Sequence, residues 1–414
     1  MSWYQALRRS STALVALSVV ALGSAVHADE AESGAESSAF VEDARAFARA
    51  SGEDQEDLVA LALIQSEQTP YLEKVIQEYN SRYASSEMTS DGHLVIWVTG
   101  AVEPGMRKLV AGREDIVLEG GAMYTADEAA ELAFEVATEI SQAGGSIEVL
   151  LSGVAASTGA LELVVSADSE PGKAQAIADA VLRDHAGARK SGRGETDRSR
   201  AGGNLVSVTV GESGDGLTQE GVSGGGSLFL PSASGTQCTT AFPAKRGTAA
   251  GVVTANHCPE SLRWGTANVL DPASRFAAHS TGDAQWHKSN TTVDPTFRYD
   301  WSKFRPVWAL PTPTVGLAVC RFGGVTGTGT GCAKVKSVGQ TGTAPDGTVY
   351  GSLVFSDRDT GSTGGDSGGP WYYGNNIYGV HQGSFVLSGK RFQSFSHAGK
   401  VSQNMGLTPL LGPR

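Results

Sequence analysis

The texture of this chain changes once, across the polar, glycine-rich stretch 211–226, and the change divides it into two regions that have to fold by different rules. Before it, apolar residues recur at helical spacing among acids over 40–50, 54–66 and 71–83. Leu94-Val95-Ile96-Trp97-Val98 then reads as a strand and 126–142 as a helix. Strands at 147–151 and 161–166, a helix at 173–184 and a strand at 205–210 repeat the scheme, so this region is expected to hold two loosely related α/β units. The Arg-, Gly- and Ser-rich stretch 186–204 reads as an exposed loop, and His93 and His185 as lone surface or turn residues. Beyond 226 the chain turns to short β-branched and aromatic runs separated by Gly, Thr, Asn and Pro, with almost no helix before its end. That pattern suits an all-β barrel or sandwich.

Charge follows the same division. The 414 residues carry 32 Lys plus Arg and 44 Asp plus Glu, a net −12. Residues 221–414 hold 16 of the basic and 9 of the acidic groups, or +7, which leaves 16 against 35, or −19, for the first 220. Two such regions attract each other. The basic charges are scattered without a Lys/Arg run, which reads as a mildly basic soluble domain and not as a nucleic-acid binder. The length allows two or three domains with their own cores, and 40% hydrophobic with 18% charged residues excludes both a disordered chain and a multi-span membrane protein.

At the start, Arg8 and Arg9 precede an apolar run over 13–26 that ends in Val26-His27-Ala28, which predicts a signal peptide over 1–28, cut before Asp29. No later run reaches the ~18 apolar residues of a membrane span, so the product is expected to be secreted and extracellular. All four cysteines, Cys238, Cys258, Cys320 and Cys332, lie in the second region, an even number that fits two disulfides in an exported protein. Their separations of 20, 62 and 12 residues lack the close pairing of a zinc site. With no nucleotide-binding loop or flavin motif either, no metal and no cofactor are expected.

The residues that carry chemistry are Gly365-Asp366-Ser367-Gly368-Gly369-Pro370. A serine hydroxyl needs a base to take its proton and backbone N–H groups to hold an oxyanion, and glycines allow the tight turn that aims those groups inward. Ser367 is the candidate nucleophile, with the N–H groups of Gly365 and Ser367 as oxyanion donors. The base is expected from Thr254-Ala255-Asn256-His257-Cys258, directly after an apolar run. Of eight histidines, His257 alone stands at a strand end beside a cysteine, with Cys238 twenty residues upstream; a disulfide there would fix the loop that carries the base.

The Ala-Asn-His-Cys and Gly-Asp-Ser-Gly-Gly-Pro strings, in that order and 110 residues apart, resemble the chymotrypsin-like serine proteases, in particular the secreted bacterial branch of the streptogrisins and alpha-lytic protease. The resemblance covers 221–414. It implies two antiparallel six-stranded β-barrels with the site in the cleft between them, a Ser-His-Asp triad, and an acidic α/β pro-region at 29–220 acting as intramolecular chaperone and inhibitor. A slow-folding β-topology rich in non-local contacts would benefit from such a template. The third triad member falls between the other two in the family's chain order. Among Asp283, Asp294 and Asp300, the run Tyr299-Asp300-Trp301-Ser302-Lys303-Phe304 best resembles the family pattern, so Asp300 is expected, with Asp283 and Asp294 as surface carboxylates at strand edges. Cys320 and Cys332 resemble a bridge of the second barrel. Gly361-Ser362-Thr363-Gly364 stands where several relatives have a cysteine, so their pocket-stapling bridge is missing here.

Pocket walls in this family come from the residues before the nucleophile and from a strand after it, here Ile377-Tyr378-Gly379-Val380-His381-Gln382-Gly383-Ser384. That string resembles the glutamyl endopeptidases, which implies that His381, Ser362 and Ser384 bind a substrate carboxylate. An imidazole with two hydroxyls suits an acidic side chain. Residues 221–414 contain one glutamate, Glu260, and Glu220 immediately precedes Gly221-Val222-Ser223-Gly224, where the resemblance puts the mature N-terminus. If His381 is instead a packed core histidine, a small or apolar preference is open; Asp357 and Asp359 leave a basic one open, although Gly361 occupies the usual acidic position. The expectation is a secreted serine endopeptidase made as a zymogen, acting on protein or peptide substrates as a monomer after processing, without nucleic-acid or membrane partners. The rivals are an esterase on the same triad and a catalytically inactive binding protein on the same scaffold.

Overall fold

A computed structural model describes residues 29–143, 147–154, 160–166, 168–190, 206–210, 216–219, 226, 228–230, 236–264, 268–301, 303–327 and 331–413. The expected signal peptide and the residues Glu220 to Ser223 lie outside them. Two helices, Asp29–Ser51 and Gln55–Tyr79, open the chain. Asp54 caps the second by accepting from the Glu56 and Asp57 amides. Where the sequence suggests a break, this helix continues through Pro70, and it ends at Tyr79, four residues earlier than the periodicity implies. Tyr83–Met88 is a strand, because Tyr83, Ser86 and Met88 are buried against its neighbours.

Two α/β units are present, but divided differently from the expectation: the helix Ala126–Gln142, read with the first, packs with the strands and helix of the second. In the first, Leu94–Thr99 lies between an antiparallel partner, Tyr83–Met88, and a parallel one, Ile116–Ala122. In the second, the helix Ala126–Gln142 starts with a capping box, the Thr125 hydroxyl accepting from the Glu128 amide and the Glu128 carboxylate from the Thr125 amide. Its Leu132, Val136 and Ile140 pack with Val149, Leu161, Leu163 and Val165 of two strands and with Val181 of the helix Pro171–Lys190. The stretch read as a loop from 186 therefore begins as the last turn of that helix.

The second unit does not stand alone. Its strand Val149–Val154 pairs with Cys332–Thr343 of the C-terminal region, Leu151 opposite Gly342 and Ser152 opposite Thr341, so one ten-stranded sheet runs through both regions. The C-terminal region is β-rich, with a five-stranded and a four-stranded sheet beside this one. One core also serves both regions: Phe40 and Phe47 of the first helix join Phe242, Trp286, Trp371 and Tyr378, and the Phe40 ring meets the Tyr373 ring edge-on at 5.2 Å.

The opposite charges foreseen in the sequence meet across this boundary. Arg305 is buried between Asp43 at 2.7 Å and Glu42 at 2.8 Å, Glu53 bridges Lys334 at 2.8 Å and Arg358 at 2.9 Å, and Asp127 holds Lys400 at 2.8 Å. Both expected disulfides, Cys238–Cys258 and Cys320–Cys332, are formed. Among the described residues no helix is long and apolar enough to cross a membrane.

Candidate active site

The strand Ala249–Thr254 pairs antiparallel with Gln285–Lys288, and its register sets Thr254 opposite Gln285. Residues just after Thr254 therefore come beside residues just before Gln285, and His257 meets Asp283 across 26 positions of sequence. Asp283 is fully buried. Its Oδ2 accepts from His257 Nδ1 at 2.5 Å and its Oδ1 from the His257 backbone amide at 3.0 Å, so one carboxylate orients both the ring and the loop. The Asp283 amide donates to Ser396 Oγ at 2.8 Å, which fixes the carboxylate in turn. On the other side of the ring, His257 Nε2 lies 2.9 Å from Ser367 Oγ.

This geometry corrects the expectation at Asp300. That residue ends the strand Thr296–Asp300 with its side chain 38% exposed, accepts from the Trp301 amide and pairs with Lys303 at 3.4 Å. Its aromatic-rich context belongs to a surface hairpin with Lys303–Pro306, whereas Asp283, read as a strand-edge carboxylate, is the one buried against His257. Motif likeness favoured Asp300. The signal for Asp283 lay in the pairing of the two strands that flank the site.

The turn that carries Ser367 is held from several sides. Thr239, next to the half-cystine Cys238, donates its amide to the Ser367 carbonyl at 2.7 Å and its hydroxyl to the Gly365 carbonyl at 2.9 Å. The disulfide to Cys258 thus ties the loop of His257 to the turn of Ser367. Gly365 and Gly368 have φ of +92° and +86°, a region that glycine alone enters without strain. A Cβ on Gly368 would also lie 2.1 Å from Thr254 Oγ1 and 2.2 Å from the Thr239 carbonyl oxygen.

Sequence reasoning missed Arg321. Its guanidinium is fully buried and 2.9 Å from Asp366, the residue before the nucleophile. Asp366 also accepts from the Val325, Thr326 and Thr363 amides and, at 2.6 Å, from the Thr326 hydroxyl, which pins the turn. A charge within the apolar run Leu317 to Phe322 was the available signal, since a buried arginine demands a counter-charge.

The three expected pocket residues, Ser362, His381 and Ser384, are all buried. Ser362 donates its hydroxyl to Gln393 Oε1, and Gln393 Nε2 donates to Asp359 Oδ1 at 2.5 Å. Ser384 is the register partner of Gln393, a residue that sequence reasoning also missed, in the pairing of Asn376–Leu387 with Lys390–His397. His381 Nδ1 accepts from the indole N–H of Trp371 at 3.1 Å. A cavity of about 580 Å³ lies elsewhere, between the two regions, lined by Tyr83, Tyr124, Asp127, Phe355, Phe385 and His397, and it holds none of the triad. Among the described residues no group of three or more His, Cys, Asp or Glu is placed to hold a metal.

No family profile matches the chain. It is 28% identical over 181 residues to Serine protease 1 of Streptomyces fradiae, an overlap that is 42% of this chain and 48% of that protein. It is 29% identical over 175 residues to Glutamyl endopeptidase 2 of Streptomyces griseus, or 41% of this chain and 88% of that one. This chain thus spans about half the length of the first relative and most of the second. Among solved structures, Protease A of Thermobifida fusca is 23% identical, covering 46% of this chain and all of that one, with a TM-score of 0.37. By sequence, the chain is therefore similar to serine proteases of Streptomyces, in keeping with the resemblance that its motifs carry.

Proposed function

We propose that this chain is the precursor of a secreted serine endopeptidase that cuts after glutamate. The observation that carries the reading is the line Asp283, His257, Ser367, with contacts of 2.5 and 2.9 Å. In the mechanism that this line supports, His257 Nε2 takes the Ser367 proton as Oγ attacks the scissile carbonyl, and Asp283 holds the imidazolium that forms. The N–H groups of Gly365 and Ser367 receive the oxyanion, the leaving amine takes the proton from His257, and water then releases the acyl group by the same steps in reverse. In this reading residues 1–28 are the signal peptide, 29–220 the pro-region, and 221–414 the enzyme, built as two barrels around the cleft.

Two observations support the preference and the processing. Glutamyl endopeptidase 2, a relative at 29% identity, carries glutamyl specificity in its name. The strand Gly216–Gln219 runs antiparallel along Asn376–Leu387, with Thr218 opposite Ser384 and Gln219 opposite Gly383. Substrates commonly add to a protein as an extra strand. The described pairing ends at Gln219, one residue before Glu220 in sequence, opposite Gly383, which is two residues from His381 in sequence. Cleavage between Glu220 and Gly221 would leave the end of the pro-region in the cleft as an inhibitor. The ion pairs of Asp43, Glu42, Glu53 and Asp127 and the shared sheet favour its role as a folding template. Refolding of residues 221–414 with equal rate and yield with or without residues 29–220 would contradict that role.

The activity is tested by digesting a mixed peptide library with the processed protein and with Ser367→Ala, reading the cuts by mass spectrometry. Cuts clustered after glutamate and absent in the variant are expected. Cuts after small, apolar or basic residues would contradict the acidic pocket, and esters cleaved without peptides would make the protein an esterase.

A further inference from the structure

The contact between Trp371 and His381 assigns a job to a residue that lies outside the triad and the expected pocket. Trp371, in the strand Pro370–Tyr373, and His381, in Asn376–Leu387, are both fully buried. The Trp371 ring stacks on Phe395 with centroids 4.8 Å apart and an angle of 20°, so the indole has no room to swing. Phe395 itself is the register partner of His381. The indole N–H, which can only donate, points at His381 Nδ1 from 3.1 Å. An imidazole nitrogen that accepts carries no proton, so the single proton of the ring sits on Nε2. Protonating Nδ1 would set two N–H groups against each other in a buried site.

We infer that Trp371 is a positioning residue for substrate selection: it holds His381 in the Nε2–H tautomer, so the pocket reads a glutamate side chain through a neutral donor and not through an imidazolium. The inference rests on the acidic pocket proposed above. The charged groups tied to this part of the pocket belong to several elements. Asp359 reaches it through Gln393 and Ser362, Arg391 donates to the Ser362 carbonyl at 3.4 Å, His397 ends the strand beside His381, and Asp366 lies one residue before the nucleophile. All of them are present in every arm of the test below, so differences between arms belong to Trp371.

The test measures kcat/KM at pH 5.5 to 8 for three peptides that differ only in Glu, Gln or Leu before the cut, using processed enzyme and its Trp371→Phe variant. Ionisation of His257 affects all three peptides alike and cancels in their ratios. For the natural enzyme the Glu-to-Gln ratio is expected to stay flat with pH. In Trp371→Phe the Glu-to-Leu ratio should fall by about tenfold, the loss expected when a hydrogen bond to a charged group is no longer aimed. Its Glu-to-Gln ratio should become dependent on pH, rising towards acid as Nδ1 becomes free to protonate. Identical ratios and pH profiles in the two proteins would overturn the role of Trp371 while leaving the acidic pocket intact. A natural enzyme without preference for Glu over Leu would overturn the pocket itself, and this inference with it. Should the variant fail to fold, nitrogen-15 NMR of His381 in the natural enzyme decides: Nδ1 bare and Nε2 protonated throughout supports the inference, and a doubly protonated ring at pH 5.5 overturns it.

Discussion

At the scale of single residues, the site depends on which carboxylate faces His257. Asp283→Asn should lower kcat by about 10⁴, because an amide that donates to Nδ1 forces the wrong tautomer. Asp300→Asn, at the surface, should stay within about twofold, and steady-state rates on one peptide compare the two. Arg321→Met leaves Asp366 buried without its counter-charge and should cost ~3–5 kcal/mol of stability in denaturant titrations. Ser367 and His257 were legible because the chemistry needs a hydroxyl, a base and a glycine turn in recognisable strings. Asp283 was not, because Gly282-Asp283-Ala284 carries no motif; its role arises from the register of Thr254 on Gln285. Arg321 and Gln393 were hidden for the same reason: their partners Asp366, Ser362 and Asp359 are 31 to 45 residues away in sequence, counting Arg321 to Asp366 and Ser362 to Gln393.

At the scale of elements, the disulfide Cys238–Cys258 and Thr239 hold the His257 loop and the Ser367 turn in one piece. Replacing both cysteines by alanine opens a loop of about 20 residues and should cost ~3 kcal/mol, read as a lower unfolding midpoint, with a larger loss of activity than of fold. The helices were legible from their acid-separated apolar spacing. The runs 54–66 and 71–83, read separately, belong to one helix through Pro70, which packs Gln65, Leu72 and Val75 into buried positions on either side of the proline. The strand Gly216–Gln219 was illegible. Gly-Leu-Thr-Gln in a polar stretch has no strand pattern, and it is ordered by pairing with Asn376–Leu387.

At the scale of the whole molecule, one sheet and one core span the acidic and basic regions, which explains why charge alone foretold the contact but not its form. Burial pushes Asp43 up to about 6 against the pull of Arg305, and burial helped by Lys400 pushes His397 down to about 3. The signs oppose. A raised carboxyl favours the folded form increasingly as pH falls through 6 towards its unfolded value near 3.8. A depressed histidine withdraws stability as pH falls below its unfolded value near 6.5 and on towards 3. Removing the histidine contribution, His397→Gln should therefore make the unfolding midpoint of the Ser367→Ala precursor fall less, or rise more, between pH 6.5 and 4 than in the same precursor with His397; an unchanged slope would contradict it. The claim that joins site, pocket and pro-region is that the precursor cuts itself at Glu220. The direct measurement is intact mass and N-terminal sequence of the full chain and of Ser367→Ala after equal incubation. The account predicts a natural chain that yields a fragment beginning at Gly221 and a variant that stays whole; a variant cut at the same bond, or a natural chain cut elsewhere, would contradict it.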